Sequence, residues 1–343
     1  MSAVTDSQAV LAWVESPFQL LGALEAHSTG ALGERLVILP RQGVEPLART
    51  IVELRRLGLP SGVSLLPPGL APHRHCGPLA VGDAFSGAVH RMLLQSSPST
   101  LVLLDDGRST RRVMDALVLP GVPLIRPHIT PSPPRALLAR LALTKLKRMA
   151  SRGRLRVVTA LDLPAAMIEA AGHSGIPIQE HSFGWLRSLP GDATPATETV
   201  VLGTSLVAND LISAEPYLDW VRAIARDGPL TYRAHRRENE RTLGPLAQCP
   251  GVFIETGQVP AELSLRGMTA RHRVLTLPTT AVSTLRLITP EARIQEFAVP
   301  ESWWRSHVPC AAKRHLVPDR YQPNLVDQFP ALDPSTGANC SRA

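Results

Sequence analysis

The chain alternates short apolar runs with segments of helical spacing. The run at 9–14 has the length and composition of a buried strand. Ser16 then offers an N-cap side chain, Pro17 occupies the favoured first helical position, and apolar residues follow at helical spacing. A helix is predicted at 44–57, and further apolar runs predict strands at 35–39, 99–104 and 155–159.

A second block of the same kind follows a break in the pattern. Residues 183–197 are rich in Gly, Pro, Thr and Ser, and strands are predicted beyond them at 198–202, 230–232, 252–254 and 273–276. Apolar strands that alternate with helices favour parallel sheets covered on both faces, so the fold class is α/β. The predicted organisation is a first domain at 1–185, a linker at 186–197, a second domain at 198–315 and a tail at 316–343.

Composition narrows the class of partner. The 343 residues suffice for two domains, and the net charge of +7 indicates an anionic partner: a nucleotide, a polyanionic glycan, a membrane surface or nucleic acid. Four cysteines without metal-site spacing fit a reducing compartment. The N-terminus lacks the pattern of a signal peptide, and no apolar run reaches the length of a membrane span. We therefore expect a cytoplasmic protein.

The segment 135–156 is a basic, partly amphipathic helix candidate. One interpretation is a peripheral contact with an anionic membrane surface at the inner face of the membrane. The other is a solvated helix of a basic protein, and the imperfect amphipathic pattern favours it. Both interpretations stay open at this point.

Two adjacent acids follow the predicted strand at 99–104. Asp105, Asp106 and Gly107 stand where a parallel sheet presents its ligand site, beyond the carboxyl ends of the strands. One carboxylate could act as a general base toward a sugar hydroxyl. An Asp-Gly turn before a helix cap explains the same tripeptide and is favoured when the tripeptide is taken alone.

Three other segments offer anion-binding chemistry. His235 and Arg236 end a predicted strand, where they suit a phosphate group or form a basic surface turn with Glu238 as a local partner. Thr279 and Thr280 precede a helix and serve either an anion or an N-cap. Glu262, near a predicted helix start, suits a ribose hydroxyl or the helix dipole.

The order of these segments carries a resemblance. Residues 15–26, with the sequence ESPFQLLGALEA, resemble the start of glycosyltransferase family 52 and the related bacterial polysialyltransferase-like proteins. Those families carry an acidic-acidic-Gly motif, a His-Pro motif and a paired Ser/Thr motif in that order. Asp105–Gly107 matches the first, His235 matches half of the second because Arg236 replaces proline, and Thr279–Thr280 match the third in hydroxyl type. The resemblance covers most of residues 10–290, thinly between the motifs.

The resemblance implies a GT-B fold, in which two Rossmann-like domains face a central cleft. The domain at 1–185 would hold the acceptor, with Asp105 as the base and Asp106 supporting it. The domain at 198–315 would hold the donor, with His235 assisting departure of the nucleotide. The donor-binding residues implied are Gly107, Arg236, Glu262, Thr279 and Thr280.

The activity implied is that of an inverting, metal-independent sialyltransferase without a cofactor, as in polysaccharide biosynthesis. It would move a sialic-acid-type sugar from a CMP-activated donor to a glycan or glycolipid acceptor, with no specific nucleic acid as partner. One alternative is a GT-B glycosyltransferase that uses another nucleotide sugar. The other alternative is a non-catalytic α/β protein that binds nucleotide or nucleic acid through its basic surface.

Overall fold

The computed structural model describes residues 9–69, 75–107, 109–126, 130–190, 194–256, 259–310 and 313. The chain divides into two compact units, Met1–Gly191 and Asp192–Ala343. The finer predicted bounds of the domains and linker stay a prediction. The predicted tail at 316–343 lies outside the described residues.

The first unit is built on a seven-stranded parallel sheet in the order β3-β2-β1-β4-β5-β6-β7. Its strands are β1 (Val10–Val14), β2 (Leu36–Pro40), β3 (Val63–Leu65), β4 (Leu79–Val81), β5 (Leu101–Leu104), β6 (Leu155–Thr159) and β7 (Ile178–Glu180). Its helices are α1 (Pro17–Ser28), α2 (Glu45–Leu57), α3 (Gly87–Gln95), α4 (Ser109–Val118), α5 (Pro133–Ala150), α6 (Ala165–His173) and α7 (Gly184–Ser188).

The second unit is built on a five-stranded parallel sheet in the order β10-β9-β8-β11-β12. Its strands are β8 (Thr199–Leu202), β9 (Leu230–Ala234), β10 (Val252–Thr256), β11 (Arg273–Thr276) and β12 (Arg293–Glu296). Its helices are α8 (Ser205–Ala208), α9 (Ala214–Arg226), α10 (Glu240–Ala247), α11 (Ala261–Ser264) and α12 (Ala281–Ile288). The predicted α/β class with two Rossmann-like domains is confirmed.

The central strand of the second sheet, β8, is buried on both faces, as its apolar composition predicts. Val201 packs on one face with Tyr217, Trp220 and Phe297. Val200 and Leu202 pack on the opposite face with Met268 and Leu285. Because neighbouring residues of a strand point to opposite faces, an unbroken apolar run fits a sheet that is covered by helices on both sides.

The start of α1 forms as predicted. The Ser16 Oγ accepts a hydrogen bond from the Gln19 backbone N–H at 3.3 Å, and Pro17 stands at the first helical position. The cap starts α1 only two residues after the end of β1, and α1 leads the chain away from this end of the strand. As a result, the residues between β1 and α1 lie at the carboxyl edge of the sheet.

Four strands were not predicted: β3, β4, β7 and β12. The first three contain three residues each, which is too short for an apolar run to differ from a loop. The fourth has the sequence RIQE, whose polar residues fit its place at the edge of the second sheet. The missing β4 matters most, because this strand lies beside β1 in the middle of the first sheet.

The basic helix is shorter than the predicted segment 135–156. It spans Pro133–Ala150, and Ser151 forms its C-cap. Gly153 follows with a φ of 65°, a left-handed conformation that ends the helix before β6 begins at Leu155. No helix within the described residues combines the length and the apolar character needed to cross a membrane.

The aromatic core of the second unit yields a stability prediction. Trp220 is fully buried, and its ring lies 5.7 Å from that of Tyr217 and 5.9 Å from that of Phe297, centroid to centroid. We expect Trp220→Ala to lower the free energy of unfolding by about 3–5 kcal/mol, measured by chemical denaturation. Phe253→Ala, which removes a half-exposed aromatic side chain from β10, is the control, with a loss below about 1 kcal/mol expected. Equal losses would contradict this account of the core.

Candidate functional site

The carboxyl edge of the first sheet gathers polar side chains from three neighbouring strands. The strands β1, β4 and β5 lie side by side, and the strand order reverses between β1 and β4. Such a reversal opens a crevice at the carboxyl edge, where α/β sheets bind ligands. Gln19 comes from the turn after β1, Asp83 follows β4, and Asp105 and Asp106 follow β5.

Asp105 is buried, and both of its carboxylate oxygens are fully used. Its Oδ1 accepts from the Gly107 N–H at 2.8 Å and the Thr110 hydroxyl at 2.7 Å. Its Oδ2 accepts from the Thr159 hydroxyl at 2.9 Å and the Ala160 N–H at 3.1 Å. A carboxylate has roughly four acceptor positions, and these bonds occupy all of them. Asp105, the base implied by the resemblance, therefore has no acceptor position left for a sugar hydroxyl.

Asp106 is the more accessible acid of the pair. Its side chain is 18% exposed, whereas Asp105 is 1% exposed. The Asp106 Oδ1 accepts from the Gln19 Nε2 at 2.8 Å, and the Oδ2 accepts from the Arg126 Nη2 at 3.2 Å. Each oxygen keeps a further acceptor position, so Asp106 can still accept a proton from a ligand.

The surroundings of Asp106 raise its pKa to about 6. Burial is the largest cause, and the nearby Asp83 carboxylate adds to it, since both disfavour a second negative charge. The hydrogen bond from Gln19 and the charge of Arg126 oppose these effects without outweighing them. A carboxyl group with this pKa is poised to exchange a proton near neutral pH.

Arg126 joins the acids at this edge. Its Nη2 contacts the Asp83 Oδ2 at 3.0 Å as well as Asp106, and its Nη1 donates to the Ser109 Oγ at 3.0 Å. Its guanidinium also lies 5.4 Å from the centroid of the Phe85 ring. These contacts hold a single cation between two carboxylates and fix the orientation of both.

Gln19, Asp83 and Arg126 were missed by the sequence analysis. Asp83 follows the unpredicted strand β4, and the run LAVGD at 79–83 was the signal that could have found it. Gly82 supports this geometry, because a Cβ there would lie 2.3 Å from the Gln19 side chain. Gly107, a predicted donor-binding residue, has a φ of 66° and gives its N–H to Asp105.

The second unit has a separate polar edge, where its strand order reverses between β8 and β11. His235 follows β9, the neighbour of β8. Its Nδ1 accepts from the Arg237 N–H at 3.2 Å, which places the proton of the neutral imidazole on Nε2. Burial and the charges of Arg236 and Arg237 lower the pKa of His235 to about 4. His235 is therefore neutral near pH 7 and offers an Nε2–H donor.

The three arginines of this segment differ in their availability. Arg233 is buried and contacts the Glu255 Oε2 at 3.3 Å and the Val259 carbonyl at 2.5 Å. Arg237 donates to the Asn209 Oδ1 at 3.1 Å. Arg236 is exposed and has no hydrogen-bond or ion-pair partner within the described part of the chain. Its guanidinium is free to bind an anionic ligand.

Thr279 and Thr280 lie beside the same reversal point, between β11 and α12. The Thr279 N–H donates to the Glu296 Oε1 at 3.2 Å, which fixes the loop. Thr280 is the N-cap residue of α12, yet its hydroxyl makes no capping hydrogen bond. Its hydroxyl and the N-terminus of α12 are thus arranged as donors for an anion.

Glu262 is buried, unlike the other donor-binding residues predicted in the second unit. Its Oε1 accepts from the Thr284 hydroxyl at 2.8 Å, and burial raises its pKa while Arg233 opposes the rise. The predicted contact of Glu262 with ribose or base is not tested by these bonds and stays a prediction. Within the described residues, no group of three or more His, Cys, Asp or Glu side chains is placed to hold a metal ion.

Comparisons with known proteins find no matching family model and no matching curated protein. One similar solved structure is E. coli heptosyltransferase WaaC with ADP-2-deoxy-2-fluoro heptose, at 13% identity, a TM-score of 0.45, and coverage of 94% of this chain and 99% of that chain. Another is UDP-GlcNAc 2-epimerase from Methanocaldococcus jannaschii, at 9% identity, a TM-score of 0.42, and coverage of 84% and 83% respectively.

The resemblance to family 52 and the sialyltransferases is therefore wrong. No family model matches the chain, and the two similar structures named above are a heptosyltransferase and an epimerase. The order of an acidic pair, a histidine and paired threonines is reproduced in the chain without that family relationship. CMP-linked sialic acid loses its support as the donor.

The contrast between the two acids yields a prediction. We expect Asp105→Ala to lower the free energy of unfolding by about 2–4 kcal/mol, because it leaves buried N–H and hydroxyl groups without an acceptor. Asp106→Ala should cost less than about 1 kcal/mol, since its carboxylate is partly exposed. Urea denaturation of both variants measures the difference. Similar losses for the two variants would contradict the structural role of Asp105.

Proposed function

We propose that the protein is a glycosyltransferase that moves a sugar from a nucleotide-sugar donor, other than a CMP-linked sialic acid, to a glycan or glycolipid acceptor. The comparisons favour this alternative over the sialyltransferase hypothesis. The observation that carries the proposal is the chemistry of the two polar edges, each taken in its own unit. The first unit presents a carboxyl group with a raised pKa, and the second presents neutral and cationic donors suited to phosphate.

In this proposal the first unit binds the acceptor, and Asp106 is the base. Its partly exposed carboxylate accepts the proton of the attacking hydroxyl, while Gln19 and Arg126 fix its orientation. Asp105 stabilises the segment after β5 by accepting hydrogen bonds from the Gly107 and Ala160 N–H groups. The roles of the two acids are therefore the reverse of those implied by the resemblance.

The second unit binds the donor in this proposal. The His235 Nε2–H and the Arg236 guanidinium bind the phosphates and stabilise the charge that develops as the nucleotide leaves. The Thr280 hydroxyl and the N-terminus of α12 supply further donors. We propose that these groups suffice without a metal ion or another cofactor, and that transfer inverts the anomeric carbon by direct attack of the acceptor.

A donor screen tests the proposed function. Purified protein is mixed with ADP-, UDP- and GDP-sugars and with CMP-N-acetylneuraminate, each in EDTA, and release of the nucleotide is measured. We expect turnover or binding with one of the first three classes and a loss of at least 100-fold in His235→Ala. Binding of nucleic acid with strong salt dependence, and of no nucleotide sugar, would favour the non-catalytic alternative.

The raised pKa of Asp106 predicts the pH dependence of transfer. The rate should rise as pH increases through about 6, because the base must be deprotonated. Asp106→Asn should lower the rate by about 100-fold or more and remove this step from the profile. Asp83→Asn should shift the step to lower pH, since Asp83 contributes to the raised pKa. A wild-type rate in Asp106→Asn would show that another group is the base.

We also propose that α5 contacts an anionic membrane surface on which a glycolipid acceptor is presented. No Asp or Glu lies between Asp115 and Asp162. The solvent face of α5 carries Leu137 and Leu141, which are 58% and 48% exposed, together with the exposed Arg148. Exposed leucines beside arginines allow apolar insertion and electrostatic attraction at the same face.

Vesicle binding tests the proposed membrane contact. Binding should be measurable on vesicles of equal parts phosphatidylglycerol and phosphatidylcholine and absent on phosphatidylcholine alone. Leu137→Ser with Arg148→Gln should lower the fraction bound by at least threefold, since about 1 kcal/mol per basic residue is lost at such surfaces. Val52→Ser with Arg55→Gln, a matched exposed pair on α2, is the control. Equal binding by the two double variants would reject the contact.

A further inference from the structure

Glu238 lies at the point where the loops after β8 and β9 meet. Its Oε2 accepts from the His235 backbone N–H at 2.6 Å, and its carboxylate also accepts from the Thr204 N–H. Thr204 follows β8, and His235 follows β9. A single carboxylate therefore joins the backbones of two neighbouring loops, of which the loop after β8 borders the strand reversal in the second sheet.

Gly203 leaves the space that this carboxylate occupies. A Cβ at this position would lie 2.2 Å from the Glu238 Oε2 and 2.7 Å from the His235 N, closer than side chains tolerate. The Gly203 N–H also donates to the Arg233 carbonyl at 2.8 Å, which holds the two strand ends together. The absence of a side chain at Gly203 thus makes room for the carboxylate of Glu238.

The other carboxylate oxygen of Glu238 is held by a buried tyrosine pair. The Tyr232 hydroxyl donates to the Glu238 Oε1 at 2.5 Å, and the Tyr217 hydroxyl lies 2.8 Å from that of Tyr232. Because the Tyr232 proton is given to Glu238, Tyr217 donates to Tyr232. The chain of hydrogen bonds fixes the carboxylate from the core side and leaves its Oε2 directed at the loops.

We propose that Glu238 is a positioning residue for nucleotide binding, which holds His235 and the loop after β8 in the geometry that receives the donor phosphates. It acts through His235 and does not contact the ligand. The inference rests on the proposed donor site of the second unit. Burial raises the pKa of Glu238 to about 7, and the hydrogen bonds from Tyr232, His235 and Thr204 oppose this rise.

The experiment combines amide hydrogen exchange with a double-mutant cycle on the full chain. In Glu238→Ala, exchange should accelerate at least tenfold at 203–206 and 235–237 in the free protein. The Kd for ADP, UDP or GDP, whichever binds wild-type protein best, should rise at least tenfold. In a His235→Ala background the same change should raise the Kd less than threefold, because the effect passes through His235.

Two further variants keep the test decisive. Gly203→Ala displaces the Glu238 carboxylate from the other side and should reproduce both effects if Glu238→Ala folds poorly. Tyr217→Phe removes the outer hydroxyl of the chain and should lower stability while leaving the Kd within threefold of wild type. Additive effects of Glu238→Ala and His235→Ala would overturn the positioning role.

The remaining outcomes separate this inference from the proposed function. Nucleotide binding that is unchanged in Glu238→Ala and Gly203→Ala would overturn the inference and leave the donor site intact. Accelerated exchange in a protein whose wild type binds none of the three nucleotides would overturn both the inference and the proposed donor site. Accelerated exchange together with a non-additive rise in Kd would support both.

Discussion

The structure depends on the need to satisfy the backbone N–H groups that lie just beyond the carboxyl ends of parallel strands. The ladder of a parallel sheet ends there, and buried N–H groups without acceptors are costly. This chain supplies side-chain acceptors at both sheets. Asp105 accepts from Gly107 and Ala160, Glu238 from His235 and Thr204, and Glu296 from Thr279. These three acids therefore stabilise the loops at the carboxyl edges by accepting hydrogen bonds from the backbone.

The need to satisfy these N–H groups divides the polar residues of the site into two kinds. Some use their acceptor positions on the backbone, and others keep acceptor positions for a ligand. Asp105 uses every acceptor position on donors of the segment that follows it and of the end of β6, and these bonds fix the position of Asp106, the next residue. Asp106 keeps part of its surface and a raised pKa because burial and Asp83 act on it together. A polar side chain that stays accessible at such an edge thus relies on a neighbouring carboxylate, which accepts the hydrogen bonds of the backbone N–H groups. In the second unit, Glu238 has the same relation to His235.

Sequence patterns predicted the α/β class and most of the longer strands, because runs of four or five apolar residues are distinctive. They also placed Asp106 and His235 just beyond the carboxyl ends of predicted strands, and the functional role of both residues stays a prediction. They missed Gln19, Asp83 and Arg126, because Gln19 lies 87 positions from its partner Asp106 and β4 contains only three residues. The family resemblance failed for a related reason. Acids and hydroxyl residues are favoured at the strand and helix ends of any such sheet, so their order alone does not identify a family.

The net charge of the chain does not show which basic side chains are available to a ligand. A net charge of +7 indicates an anionic partner without locating it. In the segment after Tyr232, Arg233 is committed to Glu255 and Arg237 to Asn209, so Arg236 alone of these three keeps its guanidinium available. Arg236 stands beside a neutral His235, whose pKa is lowered mainly by burial and further by the charges of Arg236 and Arg237. The arginine thus favours an anion directly and also contributes to the neutral form of the histidine, which donates through Nε2. Two adjacent residues thereby combine charge with directed hydrogen bonding, which phosphate recognition requires.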